Sequence, residues 1–425
     1  MRTKIHIILS FNAILYLSTL STIIHCQNEE MATEYCYNPN IKTILLYRSG
    51  WDLSMPVIIE NEDENLELRF DYLGQPENYF SYSIKNCTFN WMINDISEHY
   101  YIEGFNEMPL DDYNPSRNTT RFYMHYYAKI PSEDLKIIQS GNYLLTVFDS
   151  SDPDKIQFTR RFCIAEKKVD INARVRIPDN QNQEIELSVD LDDLKLINPI
   201  DEIKVIIIKN YDWNNKIEIK QPAMLRDNQL FFDLAGQIST GGGNEFRYFD
   251  TKTTKVPSER VDYIEYQAPD YNFILKHDKL KEFDPYFSSK DLNGRFYIEI
   301  PDAYDRHTES DYVEVHFTLQ SDLPLSTDVY LYGALAGWKF DDNNFMVYDS
   351  NKHAYEKTLL LKQGYYNYAY ATHDYDNPRF YFDITEGNHS ETENDYLIFV
   401  YLKTPMSDFD RLVGYSIINS TDKMR

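Results

Sequence analysis

Ile203-Lys-Val-Ile-Ile-Ile-Lys-Asn-Tyr-Asp-Trp213 is a β-branched strand that runs into a tryptophan. The same phrase occurs twice more, as Ile41-Lys-Thr-Ile-Leu-Leu-Tyr-Arg-Ser-Gly-Trp51 and as Val329-Tyr-Leu-Tyr-Gly-Ala-Leu-Ala-Gly-Trp338. A unit that returns at intervals of a domain length indicates one small β-domain used three times. The fold class read from this is all-β, with three consecutive immunoglobulin-like or early-set β-sandwich domains. Such arrays hold, cover or recognise something, and enzymatic activity is not expected. The equivalent positions of Trp51, Trp213 and Trp338 favour a core role for each.

Length and composition agree with that reading. A chain of 425 residues exceeds what one core normally supports, so two or three domains are expected. A hydrophobic fraction of 42% is ample for packed cores and excludes wholesale disorder. The 36 tyrosines suit half-exposed strands, where the ring packs and the hydroxyl stays wet. The formal net charge is −26. Without Arg2 and Lys4 of the leader it is nearer −28, with 40 Lys and Arg against 68 Asp and Glu. Such a surface repels phosphate backbones and anionic lipid heads, so nucleic acid is not an expected partner.

Residues 1–26 read as a secretory signal. Arg2 and Lys4 precede an apolar stretch, Ile5 to Ile24, broken by Ser10, Asn12, Ser18 and Thr19. His25 stands where lipidation of Cys26 would want a small residue, which favours cleavage before Gln27. Export makes a disulfide possible. Cys36 and Cys163 bracket the first domain and could pair, while an odd count of Cys36, Cys87 and Cys163 fits buried free thiols equally well.

Strand and turn signals divide the rest. An N-terminal sandwich is expected over 28–165. In it Leu66-Glu-Leu-Arg-Phe-Asp-Tyr72 alternates with period two, the mark of a strand with one wet face. Only Pro131–Gln139 looks like a helical turn. After a charged hinge at Glu166-Lys-Lys-Val169, a middle sandwich is expected over 166–301, then an acidic linker at 302–311. The C-terminal, early-set-like sandwich is placed at 312–413. Residues 414–425 read as a polar tail whose removal should leave folding intact.

Chemical motifs are scarce. There is no G-x-S-x-G, H-E-x-x-H or phosphate loop, and the cysteines lack zinc spacing. No catalytic, cofactor or metal residues are expected. Three acidic clusters (Asp302/Asp305/Glu309/Asp311, His373/Asp374/Asp376 and Glu386/Glu391/Glu393) lack the calcium-loop spacing and read as solvated loops. Tyr332 to Trp338, Tyr355 to Leu361 and Gly364-Tyr-Tyr-Asn-Tyr-Ala-Tyr370 look like the glycogen-binding early-set sandwiches. That resemblance implies stacking of sugars on Trp338, Tyr366 and Tyr368, against the plainer reading that Trp338 fills the core. Arg247, between aromatic residues in a strand, is expected to pair with an acid inside the domain, or else with a partner.

Longer strings are more specific. Tyr37-Asn-Pro-Asn-Ile-Lys-Thr43, Gly104-Phe-Asn-Glu107, Ser140-Gly-Asn-Tyr143, Gly243-Asn-Glu-Phe-Arg-Tyr-Phe-Asp250, Asp291-Leu-Asn-Gly-Arg-Phe296 and Glu386-Gly-Asn-His-Ser-Glu-Thr-Glu-Asn-Asp-Tyr396 resemble the plug protein family of the type IX secretion system of Bacteroidetes. The resemblance spans nearly the whole exported chain. It implies a periplasmic protein on the inner face of the outer membrane, a monomeric subunit that closes a large outer-membrane β-barrel translocon when idle. It supplies no catalytic residues. The alternative left open is a secreted glycan-binding accessory protein.

Overall fold

The computed structural model describes residues 31–74, 78–219, 221–232, 238–374, 377–405 and 407–422. The leader expected at 1–26 lies outside them. The described residues form an all-β protein of stacked sheets.

The N-terminal sandwich follows the alternation in its strands. One sheet runs Tyr35–Cys36, Asp152–Ala165, Gly141–Asp149, Phe80–Cys87 and Met108–Pro109, with Val57–Ile59 parallel to Asp152–Ala165. The other runs Ile41–Arg48, Leu66–Tyr72, Met124–Ile130 and Asp112–Pro115. Leu66, Leu68 and Phe70 point inward as their period predicts and meet Tyr82, Leu145 and Phe158 of the facing sheet. The stretch expected to turn as a helix contains instead the strand Leu135–Ile137, paired with Ile102–Gly104. The cis Ile130–Pro131 bond lies just before it.

The other two sandwiches are not consecutive, and the boundaries expected at 166–301 and 312–413 are corrected. Ile203–Lys209 pairs antiparallel with Asp395–Leu402, placing Ile207 opposite Ile398. One sheet is thus built from Lys216–Ile219, Ile203–Lys209, Asp395–Leu402 and Arg411–Asn419. It faces a second of Asp170–Arg176, Asn182–Asp190, Gln229–Phe231 and Met224–Arg226. Residues between these halves form an inserted sandwich. Its first sheet is Arg247–Asp250, Gly364–Asp374 and Phe296–Ile298, with Asp328–Tyr332 also on the long central strand. Its second is Val261–Gln267, Asp270–Leu275, Tyr312–Gln320, Ala354–Lys362 and Val347–Asp349.

The run Val205-Ile-Ile-Ile208 has a specific cause. Val205 and Ile207 enter the core of the split sandwich. Ile206 and Ile208 enter a separate apolar layer with Leu397, Phe399 and Tyr401, against Cys87, Trp91, Leu144 and Cys163 of the N-terminal sandwich. A strand buried on both faces reads as a continuous apolar run. This layer fuses two sandwiches, and the hinge expected at Glu166 is corrected with it. Glu166 is buried and ion-paired with Arg411.

Two further expectations change. Residues 302–311 are no linker: Arg306–Glu309 is a helical turn, and His307, Thr308, Ser310 and Asp311 are buried against the N-terminal sandwich. Thr120 donates its backbone N–H to Asp311 Oδ1 at 2.9 Å. Residues 414–419 are no tail either, since they complete the strand Arg411–Asn419, with Tyr415 in the fused layer and Ile418 against the split core. Truncation after Val413 is therefore expected to cost at least about 3 kcal/mol, the burial of two large side chains. A shortened chain that melts like the full one would contradict this.

Candidate functional site at the junction of the sandwiches

The chain crosses between the split and inserted sandwiches twice, outward near Gly241–Arg247 and back through Glu386–Asn394. Both crossings are short of regular strand pairing, so their backbone groups need other partners. They find them in each other. Gly243 N donates to Asn388 Oδ1 at 2.8 Å, and His389 N to Gly243 O at 2.7 Å. Asn244 Nδ2 donates to Glu386 O at 2.7 Å. A Cβ at Gly242 would lie 1.9 Å from His389 O, so only glycine allows this approach.

Arg247 locks the crossing. Its Nε lies 3.0 Å from both Glu386 oxygens, and Nη1 donates to Asp278 Oδ1 at 2.9 Å. Nη2 donates to Lys279 O at 2.8 Å. Burial opposes the charge, yet the Glu386 and Asp278 carboxylates outweigh it and push the guanidinium pKa upward. The internal alternative for Arg247 is the one the geometry adopts. As a contact for a partner it is corrected, because the side chain is buried.

The other specific strings also lie at joints. In Asp291–Phe296, Arg295 stacks 3.7 Å from the Tyr211 ring, sits 3.7 Å from Asp395 and reaches Leu53 O in the N-terminal sandwich. In Ser140–Tyr143, Asn142 Oδ1 accepts from the Tyr401 hydroxyl at 2.8 Å across the fused layer. At the end of Tyr37–Thr43, the Thr43 hydroxyl lies 2.6 Å from that of Tyr312 in the inserted sandwich. Gly104–Glu107 differs, since Asn106 bonds Ile84 within the N-terminal sandwich.

A buried polar cluster closes the remaining joint. Lys362 Nζ lies 2.5 Å from Asp71 Oδ2 and 2.5 Å from His307 O. His125 Nδ1 is 2.7 Å from Asp71 Oδ1, and the Tyr312 hydroxyl donates to Asp71 Oδ2 at 2.7 Å. The period-two pattern put Asp71 on a wet face, but the inserted sandwich covers it. Burial alone would raise the Asp71 carboxyl; Lys362 and His125 together hold it below its usual range.

Two cavities open at this junction, of about 530 and 380 Å³, and Trp338 borders both. Trp338 is half-buried, edge-on to Tyr332 and Phe246, with its ring over Gly294. Trp213 packs on Trp91 and Phe399. Trp51 is 45% exposed. The core role favoured for all three is thus corrected: two sit at joints and one faces solvent. In the smaller cavity the Lys209 ammonium donates to Gly241 O and Gly242 O, 2.7 Å each, and burial draws its pKa down to about 7. Burial raises Asp212 to about 7.

Tyr366 and Tyr368 do not offer the sugar-stacking faces expected of them. Both are buried in the inserted core, where the Tyr368 hydroxyl donates to Asp278 Oδ2 at 2.6 Å. The Cys36–Cys163 pairing is corrected as well. Cys36 stands opposite Phe158, five residues from Cys163, or about 17 Å along the strand and far beyond disulfide reach. All three described cysteines are free. Burial pushes the Cys87 thiol up to about 12 and the Cys163 thiol higher still. Maleimide is therefore expected to leave Cys87 and Cys163 unmodified in the folded chain and to label both after denaturation. Among the described residues, no group of three or more His, Cys, Asp or Glu is arranged to hold a metal. The cluster His373/Asp374/Asp376 lies partly outside them.

Residues 41–166 match the family model described as Type 9 secretion system plug protein 1st domain. The family resemblance read from the sequence is shown over that stretch. A crystal structure of a hypothetical protein from Parabacteroides merdae ATCC 43184 aligns at 29% identity over 92% of this chain and 100% of that one, with a TM-score of 0.89. A score that high across all three sandwiches requires the same mutual placement, as well as the same folds. The B domain of a biofilm associated protein reaches only 9% identity and a TM-score of 0.18, which carries no argument. No curated protein matches the chain.

Proposed function

We propose, from the match of residues 41–166 to the first domain of type 9 secretion plug proteins, that this chain is a periplasmic plug. It seats against the inner mouth of an outer-membrane β-barrel translocon and closes it when idle. That match is the observation that carries the reading. The role needs no chemical step, only a broad cover that keeps its shape.

The joints support it. A pore wide enough for folded cargo cannot be closed by sandwiches free to swing. Here an apolar layer fuses the N-terminal and split sandwiches, two bonded crossings hold the inserted one, and the Asp71–Lys362 pair ties it back. The strings that resemble the plug family lie mostly at these joints, where they fix the arrangement of the sandwiches. Among the described residues, no helix is long and apolar enough to cross a membrane. Attachment through protein contact is consistent with that. The glycan-binding alternative loses Tyr366 and Tyr368, and no observation favours it.

A mild-detergent pull-down of the tagged protein from its own membranes, with mass spectrometry of what accompanies it, tests the reading. A very large β-barrel in near-stoichiometric amount is expected. Recovery of the chain alone from the periplasmic fraction, with an outer membrane no leakier to large solutes when the gene is deleted, would refute it.

A further inference from the structure

The larger cavity has a composition that the plug role does not require. Its walls come from all three sandwiches and are rich in rings: Tyr35, Tyr47, Trp213, Phe296 and Trp338. Four cations line the space: Arg161 is held by Ala32 O and Arg295 faces Asp395, which leaves Arg160 and Lys339. Arg160 Nη1 donates to Thr159 O at 2.8 Å, and Lys339 Nζ lies 4.3 Å from the Tyr35 ring centre. Among the described residues, neither makes an ion pair with a carboxylate.

The carboxylates that line the cavity make their hydrogen bonds and ion pairs with other groups. Asp52 pairs with Arg306, Asp212 accepts the Tyr332 hydroxyl, and Glu34 Oε1 accepts the Arg161 backbone N–H at 3.0 Å. Burial lowers the Lys339 pKa and the neighbouring Arg160 charge lowers it further, with Glu34 and Asp341 offsetting part of this from beyond ion-pair distance. Two like charges brought together away from bulk water are costly unless something negative joins them. Glu34 and Asp341 supply this only at a distance, since neither forms an ion pair with Arg160 or Lys339 among the described residues. A volume of about 530 Å³ falls within the range of small-molecule sites, roughly 300–1,000 Å³. Flat aromatic walls around a fixed positive charge suit a flat anion.

We propose that this cavity binds a small organic anion carrying a flat ring, its acidic group held between Arg160 and Lys339 and its ring laid against Tyr35, Trp213 and Trp338. Because the walls belong to three sandwiches, an occupant tightens their arrangement and raises stability by mass action. The proposal does not rest on the plug reading, and its test is independent of any translocon.

The probe is 8-anilinonaphthalene-1-sulfonate, titrated into the folded exported chain by fluorescence and calorimetry, beside its neutral analogue N-phenyl-1-naphthylamine. Saturable binding at one site per chain is expected, with a raised melting temperature and clear preference for the anion. Arg160→Gln with Lys339→Gln is expected to weaken it by about tenfold or more. Raising salt from about 50 to about 500 mM should weaken binding to the unaltered chain too, which decides the matter if the double variant folds poorly. Unsaturable uptake, equal binding of the neutral analogue, or affinity indifferent to both salt and substitution would overturn the proposal.

Discussion

Arg247→Ala is expected to destabilise the chain by about 3 kcal/mol, the cost of taking from two buried carboxylates the one fully buried cation between them. Glu386 is 3% exposed and Asp278 4% exposed, so neither can turn to water for compensation. Some support survives. Asp278 keeps Arg260 and the Tyr368 and Tyr370 hydroxyls, and Glu386 keeps the Tyr370 N–H at 2.8 Å and Lys281 at 3.7 Å. What disappears is the group that, alone among the described residues, bonds both carboxylates and the backbone carbonyls of Lys279 and Thr385. The comparison is Arg260→Ala, which removes a more exposed partner of Asp278 and should cost no more than about 1 kcal/mol. Arg247→Lys should fall between the two, because an ammonium cannot span that fork. Urea midpoints of the three variants measure the effect. Equal losses for Arg247→Ala and Arg260→Ala would show that the buried pairing does not hold the crossing.

The sequence disclosed strands far better than their partners. Gly141–Asp149, Ile203–Lys209 and Asp328–Tyr332 begin and end where their β-branched and aromatic runs do. Such runs are local signals and need no tertiary knowledge. Pairing is different. Ile203–Lys209 finds Asp395–Leu402 across the whole inserted sandwich. Nothing local in either strand names the other. A reader of the chain therefore cuts at the nearest turn, as at 301 and 413. Local polarity misled in the same way. Asp71 alternates correctly onto the outer face of its strand, and the sequence cannot say that Lys362 covers that face. Gly364-Tyr-Tyr-Asn-Tyr seemed to present rings outward, but Tyr366 and Tyr368 lie on the face that meets the second sheet, where Phe317 packs on Tyr368, so both are inside. The specific strings carried information that composition could not decode. Asn and Gly in a loop suggest a turn; that two such loops satisfy each other across a crossing appears only in the fold.

The joint between the N-terminal and inserted sandwiches should be acid-labile. His307 is buried there, its ring stacked 5.2 Å from that of His125. Burial, with the charges of Arg69, His125, Arg306 and Lys362, depresses its pKa to about 2. It stays neutral in the fold, whereas in the unfolded chain it titrates near about 6.5. Below that pH the unfolded state binds a proton that the folded state refuses, so stability falls as pH falls, by up to about 1.4 kcal/mol per unit. The Asp71 carboxylate faces the same joint, and its depressed pKa adds a loss of the same sign only below its unfolded value of about 3.9. At this joint the window from pH 6.5 down to about 4 belongs to His307, whose step from 6.5 to 5 should remove about 1.6 kcal/mol; elsewhere the depressed His316 adds to the loss, while Asp212 and Asp291, raised by burial to about 7, take up protons in the fold and oppose it. His307→Phe keeps a ring against His125 and removes the titration. Its urea midpoint should change less with pH over that interval, whatever its absolute stability. A slope equal to that of the unaltered chain would assign the acid sensitivity to other groups. A flattened slope would place a pH-sensitive contact at the seam between the N-terminal and inserted sandwiches.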